Sequence, residues 1–329
     1  MNSSYSQAQG DPAFKSSMKE RYNYLGVEER LQELLGETYK KYRNEWRKAG
    51  ASHVPDFPIH IDFELIDECN LRCGFCSRNA QNHPSLPYDI NTKAVLSDEL
   101  IGKILDEIAN ENLYSIGFGF GEPLLDKRIF DIIKAFHERG VIDSRITTNG
   151  IFLEDYIDAI FDSGLVNLHV SLDAFDGEMY KQIRGNSYDR AVDGLEQVLA
   201  ERKRRGSLIP VVRVSFLDQP ENHHQIAEFK AFWGDKVDFI DIQTYLDENH
   251  LIPSGNGKSF DCFAPFRRIA IIADESILPC CAFRGKLLAI GNIRVNSIRE
   301  AWHSAKMAEV RHNLVHDLEP ICIACQEGS

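Results

Sequence analysis

No apolar run in the chain approaches the roughly 18 residues needed to cross a bilayer, so no membrane span is expected. The first residues, MNSSYSQAQGDPAFKSS, lack a basic stretch followed by an apolar one. No secretory signal is therefore expected, and the cytoplasm is the expected compartment. Basic residues are outnumbered: 37 Lys and Arg face 50 Asp and Glu, for a net charge of −13. Phosphate binding needs a basic surface, so nucleic acid is not the expected partner. Cysteine is missing from residues 77–261, a gap of 185 residues. The eight cysteines lie on either side of it, as Cys69, Cys73 and Cys76, then Cys262, Cys280, Cys281, Cys322 and Cys325. Without a signal peptide, such clusters read as metal ligands rather than disulfides, and two clusters suggest two metal sites.

What is present is ordinary for a globular chain: 43% of 329 residues are hydrophobic, enough for one large α/β domain with a small appendage. Residues 1–26 are polar and expected to be loose. Leu31, Leu34, Leu35, Tyr39, Tyr42 and Trp46 then share one stripe of a helix over Val27–Ala49, with Gly50 as its expected C-cap. The plain reading is a helix packed on the main domain. From residue 58 strands and helices alternate. The strands are expected at Ile59–Leu65, Leu113–Phe120, Ser144–Thr148, Leu165–Leu172, Pro210–Phe216 and Val237–Tyr245. Between them lie amphipathic segments at Ser97–Glu111, Lys127–Arg139, Glu154–Ser163, Tyr188–Arg205 and His224–Trp233. Six such repeats predict a parallel sheet, open or curled into a barrel.

Strands buried on both faces should be nearly continuously apolar; these alternate. His60, Asp62 and Glu64 share one face of the first, Asn167, His169, Ser171 and Asp173 one face of the fourth, and Asp241, Gln243 and Tyr245 one face of the sixth. The second has only small residues on one face, Ser115, Gly117, Gly119 and Gly121. That pattern predicts a curled sheet around a polar, ligand-holding lumen, with some of the polar groups satisfying one another near the floor.

Cys69-Asn-Leu-Arg-Cys73-Gly-Phe-Cys76 follows the first strand directly, at the rim where parallel α/β sheets place their active sites. Thiolates select zinc or iron–sulfur clusters. Three of them can wrap one cubane while leaving its fourth iron open to a ligand. A zinc site completed by a histidine such as His83 is the alternative.

In this setting Cys-x3-Cys-x2-Cys resembles the radical S-adenosylmethionine (SAM) superfamily. The resemblance implies a partial (β/α)6 TIM-like barrel and a [4Fe–4S] cluster whose open iron binds SAM. Reduced, that cluster cleaves SAM to methionine and a 5′-deoxyadenosyl radical, fed by a flavodoxin- or ferredoxin-type donor. Phe120-Gly121-Glu122-Pro123 resembles the family's Gly-Gly-Glu-Pro motif, which holds the SAM amino group, with Phe120 in place of the first glycine. The glycines at 117, 119 and 121 do not fit a dinucleotide loop. By the same resemblance Asn149, in the Thr147-Thr148-Asn149-Gly150 segment that ends the third expected strand, and Ser171 belong to the SAM site, and Arg184 pairs with the SAM carboxylate through its two-pronged guanidinium.

In the second group Cys262 lies 18 residues before Cys280, Cys322 lies 42 after it, and Cys325 closes a Cys-x2-Cys. With ILPCCAF, IGNI and SIREAW between them, this resembles the short SPASM domain sometimes called twitch. It implies an auxiliary [4Fe–4S] cluster on Cys262, Cys280, Cys322 and Cys325; either Cys280 or Cys281 is then spare, the spacing favouring Cys280 as the ligand, and a zinc ribbon is the alternative. The expected division is an N-terminal extension at 1–56, a radical SAM core at 57–255 and an auxiliary domain at 256–329.

The expected reaction is hydrogen abstraction from an alcohol carbon of a sugar or aminocyclitol, with the auxiliary cluster accepting the second electron of a dehydrogenation. Epimerisation with Cys281 returning a hydrogen atom, peptide modification, and a non-catalytic electron-carrying or zinc-structured protein are the rival readings.

Overall fold

The computed structural model describes residues 18–23, 26–76, 78, 91–244, 262–280, 283–319 and 322–323. Ten strands form one sheet: β1 (Met18–Asn23), β2 (His60–Phe63), β3 (Ser115–Phe118), β4 (Asp143–Thr148), β5 (Asn167–Ser171), β6 (Val211–Asp218), β7 (Phe239–Thr244), β8 (Arg268–Ile271), β9 (Ser276–Leu278) and β10 (Gly291–Asn292). The helices are α1 (Val27–Lys48), α2 (Asp98–Ile108), α3 (Ile129–His137), α4 (Ile157–Asp162), α5 (Gly177–Ile183), α6 (Tyr188–Arg205), α7 (Ile226–Trp233), α8 (Ala264–Arg267), α9 (Ile298–Trp302) and α10 (Ala305–His316). The six expected strands are β2 to β7 and the five expected helical segments hold α2, α3, α4, α6 and α7. The spatial order is β1-β7-β6-β5-β4-β3-β2-β8-β9-β10. Strands β2 to β7 run parallel, so each connection must cross back over the sheet, and helices supply the crossings. The sheet keeps two edges, β1 and β10, and is therefore an open, partial barrel.

Local chemistry sets the helix starts. Ser97 caps α2 by accepting the Leu100 N–H at 3.3 Å, and Asp98 and Glu99 add negative charge where the helix dipole is positive. Leu100, Ile101, Ile104, Leu105 and Ile108 of α2 are buried on its core face. Helix α1 buries Val27, Leu31, Tyr39, Tyr42 and Trp46, while Leu34 sits at the edge of the stripe and stays 43% exposed. Its C-cap is the extended Ala49 and not Gly50, which instead bridges back to His53. Gly36, at φ 66° and ψ −149°, breaks the helical geometry inside α1.

The C-terminal segment is not a detached appendage. Strand β8 pairs in parallel with β2, and β9 and β10 follow it antiparallel. Ile269, Ile271, Ile277, Ile293, Ile298 and Trp302 belong to the same hydrophobic core as Phe63, Phe118 and Val214.

The polar inner face corrects the sequence-based picture of a wet lumen. Most of its groups bond to one another in a floor at the N-terminal ends of the strands. Asp62 is the centre: His60 Nε2 lies 2.9 Å from its Oδ1, Arg145 Nη2 3.0 Å from Oδ1 and Arg268 Nη1 3.2 Å from Oδ2. Asn167 donates to Asp143 at 2.6 Å, Arg213 pairs with Asp241 at 2.8 Å, and Arg213 also bonds His169. Gly117 makes room for this network, since a Cβ there would meet Asp62 Oδ1 at 2.8 Å and Arg145 Nη2 at 3.0 Å. Helix α1 covers the floor, with Trp46 edge-on to His60 and Tyr42 stacked on Tyr114.

Candidate active site

The opposite, C-terminal rim holds a separate cavity. Cys69, Cys73 and Cys76 line it together with Phe120, Gly121, Glu122, Asn149, Ser171 and Arg184. The sequence-predicted residues of the first site thus meet at one place. Cys73 is buried, and burial pushes its thiol up to about 12; burial also raises the Cys69 thiol. Such thiols become thiolates only when a metal replaces the proton. Among the described residues no three His, Cys, Asp or Glu side chains already converge on a single point. The three soft sulfur donors rim the cavity instead, a donor set and placement that fit an iron–sulfur cluster. His83 lies outside the described residues.

Each flanking segment is fixed by identifiable bonds. Glu122, 1% exposed, accepts the Thr148 hydroxyl at 2.7 Å, the Asn149 N–H at 2.9 Å and the Leu124 N–H at 3.0 Å. Burial raises its carboxyl even against these donors. The Asn149 side chain donates to Asn70, inside the cysteine loop, at 2.7 Å. The ends of β3 and β4 and the cysteine loop are therefore one bonded unit. Arg184 donates to Asp173 Oδ2 at 2.8 Å and to the Ser171 carbonyl at 2.7 Å while facing the cavity. The guanidinium that the resemblance assigns to the SAM carboxylate is thus already oriented by Asp173, a residue the sequence reading did not single out. Desolvation disfavours the Arg184 charge, but Asp173, Cys73 and Tyr180 together outweigh it and hold the guanidinium protonated. Behind Cys76, Arg78 pairs with Glu64 at 2.5 Å and with Asp67, and Glu64 accepts the Ala273 N–H at 3.1 Å. No motif marked this anchor.

Two backbone positions shape the loop. A Cβ on Gly121 would come within 2.4 Å of the Glu68 carbonyl oxygen, which is backbone and cannot yield cheaply. Gly121→Ala is therefore expected to destabilise the fold by about 1–3 kcal/mol, the usual range for overpacking, and to abolish SAM binding. Thermal melting and a SAM titration check the two parts. Phe120 adopts φ 72°, the left-handed region normally left to glycine.

Of the second cysteine group, Cys262 and Cys322 pack against one apolar cluster of Phe266, Leu314 and Leu318. Cys280 follows β9 by two residues. Cys281 and Cys325 lie outside the described residues.

Two family profiles match the chain, one over each cysteine group. The radical SAM superfamily profile matches residues 63–229, and the profile of an iron–sulfur cluster-binding domain, SPASM, matches residues 262–326. The chain belongs to the radical SAM superfamily and carries a SPASM domain, so its cofactors are a SAM-binding [4Fe–4S] cluster, SAM and an auxiliary iron–sulfur cluster. It is similar to the GTP 3′,8-cyclase of Limosilactobacillus fermentum, 30% identical over 57% of this chain and 56% of that one. A probable GTP 3′,8-cyclase of Methanococcus maripaludis is 35% identical over 57% of this chain and 61% of its own. The chain thus spans little more than half the length of these relatives. Among solved structures it resembles Streptococcus suis SuiB bound to precursor peptide SuiA, with TM-score 0.62, 18% identity and coverage of 88% of this chain and 73% of that one. BtrN in complex with AdoMet and 2-DOIA gives TM-score 0.55 and 18% identity over 82% of this chain and 91% of that one. At these identities the likeness is one of fold. No helix among the described residues is long and apolar enough to cross a membrane.

Proposed function

We propose that this enzyme abstracts a hydrogen atom from a polar small molecule and dehydrogenates it at an alcohol carbon, with a sugar or aminocyclitol as substrate. Cys69, Cys73 and Cys76 hold the SAM-binding cluster, Gly121, Glu122, Asn149, Ser171 and Arg184 position SAM, and Cys262, Cys280, Cys322 and Cys325 hold the auxiliary cluster. When bound, the cluster and SAM together supply a low-potential electron and a hydrogen-abstracting radical. The chain's own part is to orient and enclose. Asp173 aims Arg184, the Asn149–Asn70 bond ties the end of β4 to the cysteine loop, and Gly121 lets its loop pack on the Glu68 carbonyl. The observation that carries the reading is the single cavity that joins the three thiols to these polar residues at the strand ends. BtrN, solved in complex with AdoMet and 2-DOIA, shares this fold over 91% of its chain.

Identity to GTP 3′,8-cyclases favours a second reading, in which a purine nucleotide occupies the same cavity. Both readings require an external electron donor of flavodoxin or ferredoxin type. Transfer of deuterium into 5′-deoxyadenosine separates them. The reduced holoenzyme is expected to take deuterium from a carbinol C–D of a perdeuterated sugar or aminocyclitol. Transfer only from deuterated GTP, or only from a peptide, would overturn the proposal. Cys281→Ala is expected to leave dehydrogenation intact, whereas an epimerase would stall after SAM cleavage.

A further inference from the structure

Phe120 stands where the motif it resembles has glycine, yet it keeps the glycine conformation at φ 72°. A bulky residue stays in that region only where its surroundings over-determine it. Its surroundings here belong to another part of the chain. The ring lines the SAM cavity and packs against Ala270, Ile272 and Leu278 of the β8–β9 hairpin. That hairpin begins six residues after Cys262 and ends two before Cys280. Its geometry is fixed, since Ala270 pairs in register with Leu278 and Leu278 is 1% exposed. On the other side of Phe120, the Gly121 N–H reaches Gly119 O at 3.1 Å and the Glu122 N–H reaches Glu68 O at 2.9 Å. One side chain therefore spans the loop that presents Gly121 and Glu122 and the hairpin that connects two auxiliary-cluster cysteines.

We propose that Phe120 is a positioning residue that couples the SAM-binding loop to the hairpin of the auxiliary domain. The proposal rests on the functional reading above. With glycine the loop would hold its turn alone; with phenylalanine the turn depends on the hairpin being in place. SAM affinity and hairpin position are then linked, and the linkage runs both ways.

The test uses SAM binding to the reconstituted, unreduced holoenzyme, and the key variant is Leu278→Ala, because Leu278 belongs to the buried cluster on which Phe120 packs but does not line the cavity. Leu278→Ala is expected to weaken SAM binding about three- to tenfold, the scale of a disrupted coupling contact. Phe120→Leu, which keeps an apolar contact, is expected to lose less affinity than Phe120→Ala. In a Phe120→Gly background the same Leu278→Ala change is expected to have no effect, because the two sites no longer touch. Should Leu278→Ala fail to fold, Leu278→Val carries the same test. An affinity unchanged by the Leu278 substitution, or a loss of equal size in the Phe120→Gly background, overturns the coupling while leaving the functional reading intact. A wild-type holoenzyme that binds no SAM overturns the functional reading and this proposal with it.

Discussion

Replacing Cys73 by alanine is expected to abolish reductant-dependent formation of 5′-deoxyadenosine and to remove one cluster's worth of iron. Cys73 is the most deeply placed of the three rim thiols, packed where its sulfur reaches the Arg184 carbonyl at 3.8 Å. Two remaining thiols cannot hold a cubane that already lacks a fourth protein ligand. The iron retained should be that of the auxiliary cluster, whose cysteines lie elsewhere in the chain. Iron and sulfide analysis of wild type, Cys73→Ala and Cys280→Ala gives the partition. Loss of SAM cleavage in Cys73→Ala with iron content unchanged would contradict the assignment.

The largest expected effect on stability comes from the floor of the barrel. Asp62→Ala removes a carboxylate that pairs with both Arg145 and Arg268, at a site where Arg268 is 2% exposed. Breaking a buried pair from one side strands the remaining charge and typically costs about 3–5 kcal/mol. In a chain of this size that corresponds to a melting temperature lower by roughly 4–7 °C, which calorimetry or circular dichroism reads directly. The pH dependence has a definite sign. Burial would raise the Asp62 carboxyl, but His60, Arg268 and Arg145 overcome it and hold it far below the usual carboxylate range. The unfolded chain therefore takes up this proton near pH ~4, well before the folded chain does. Its contribution is present above that pH and is lost as the solution becomes more acid. Wild type should lose stability below pH ~4 more steeply than Asp62→Ala.

These two sites also show where sequence reading reached and where it stopped. Alternation along Ile59–Leu65 and Leu165–Leu172 identified the inward face, because side chains in a strand alternate with period two. Period alone does not say which layer of the barrel a residue occupies. His60, Asp62, Asn167, His169 and Asp241 therefore read as lumen lining at no particular depth, whereas the fold sets them at the floor beneath α1, bonded to Asp143, Arg145, Arg213 and Arg268. Strand β1 was invisible because Met18–Asn23 is polar and joins the sheet through backbone pairing with β7. Strands β8 to β10 are two to four residues long, too short for a pattern. At the rim, the cysteine spacing and the Gly-Glu-Pro segment point to residues that line one cavity in the folded chain. The partners did not show: Asp173 is 11 residues from Arg184, and Glu64 is 14 from Arg78, so only the folded chain brings them together. Phe120 read as a mismatch because its meaning lies in a backbone angle and in a contact with residues 150 or more positions away.

The central claim is that Cys69, Cys73 and Cys76 hold a cluster with an iron left open for SAM. Electron paramagnetic resonance of the reduced, reconstituted protein tests it most directly, with and without SAM. The account predicts a [4Fe–4S] signal that changes shape when SAM is added and is missing from Cys73→Ala. A signal indifferent to SAM, or a colourless protein carrying zinc, would contradict it.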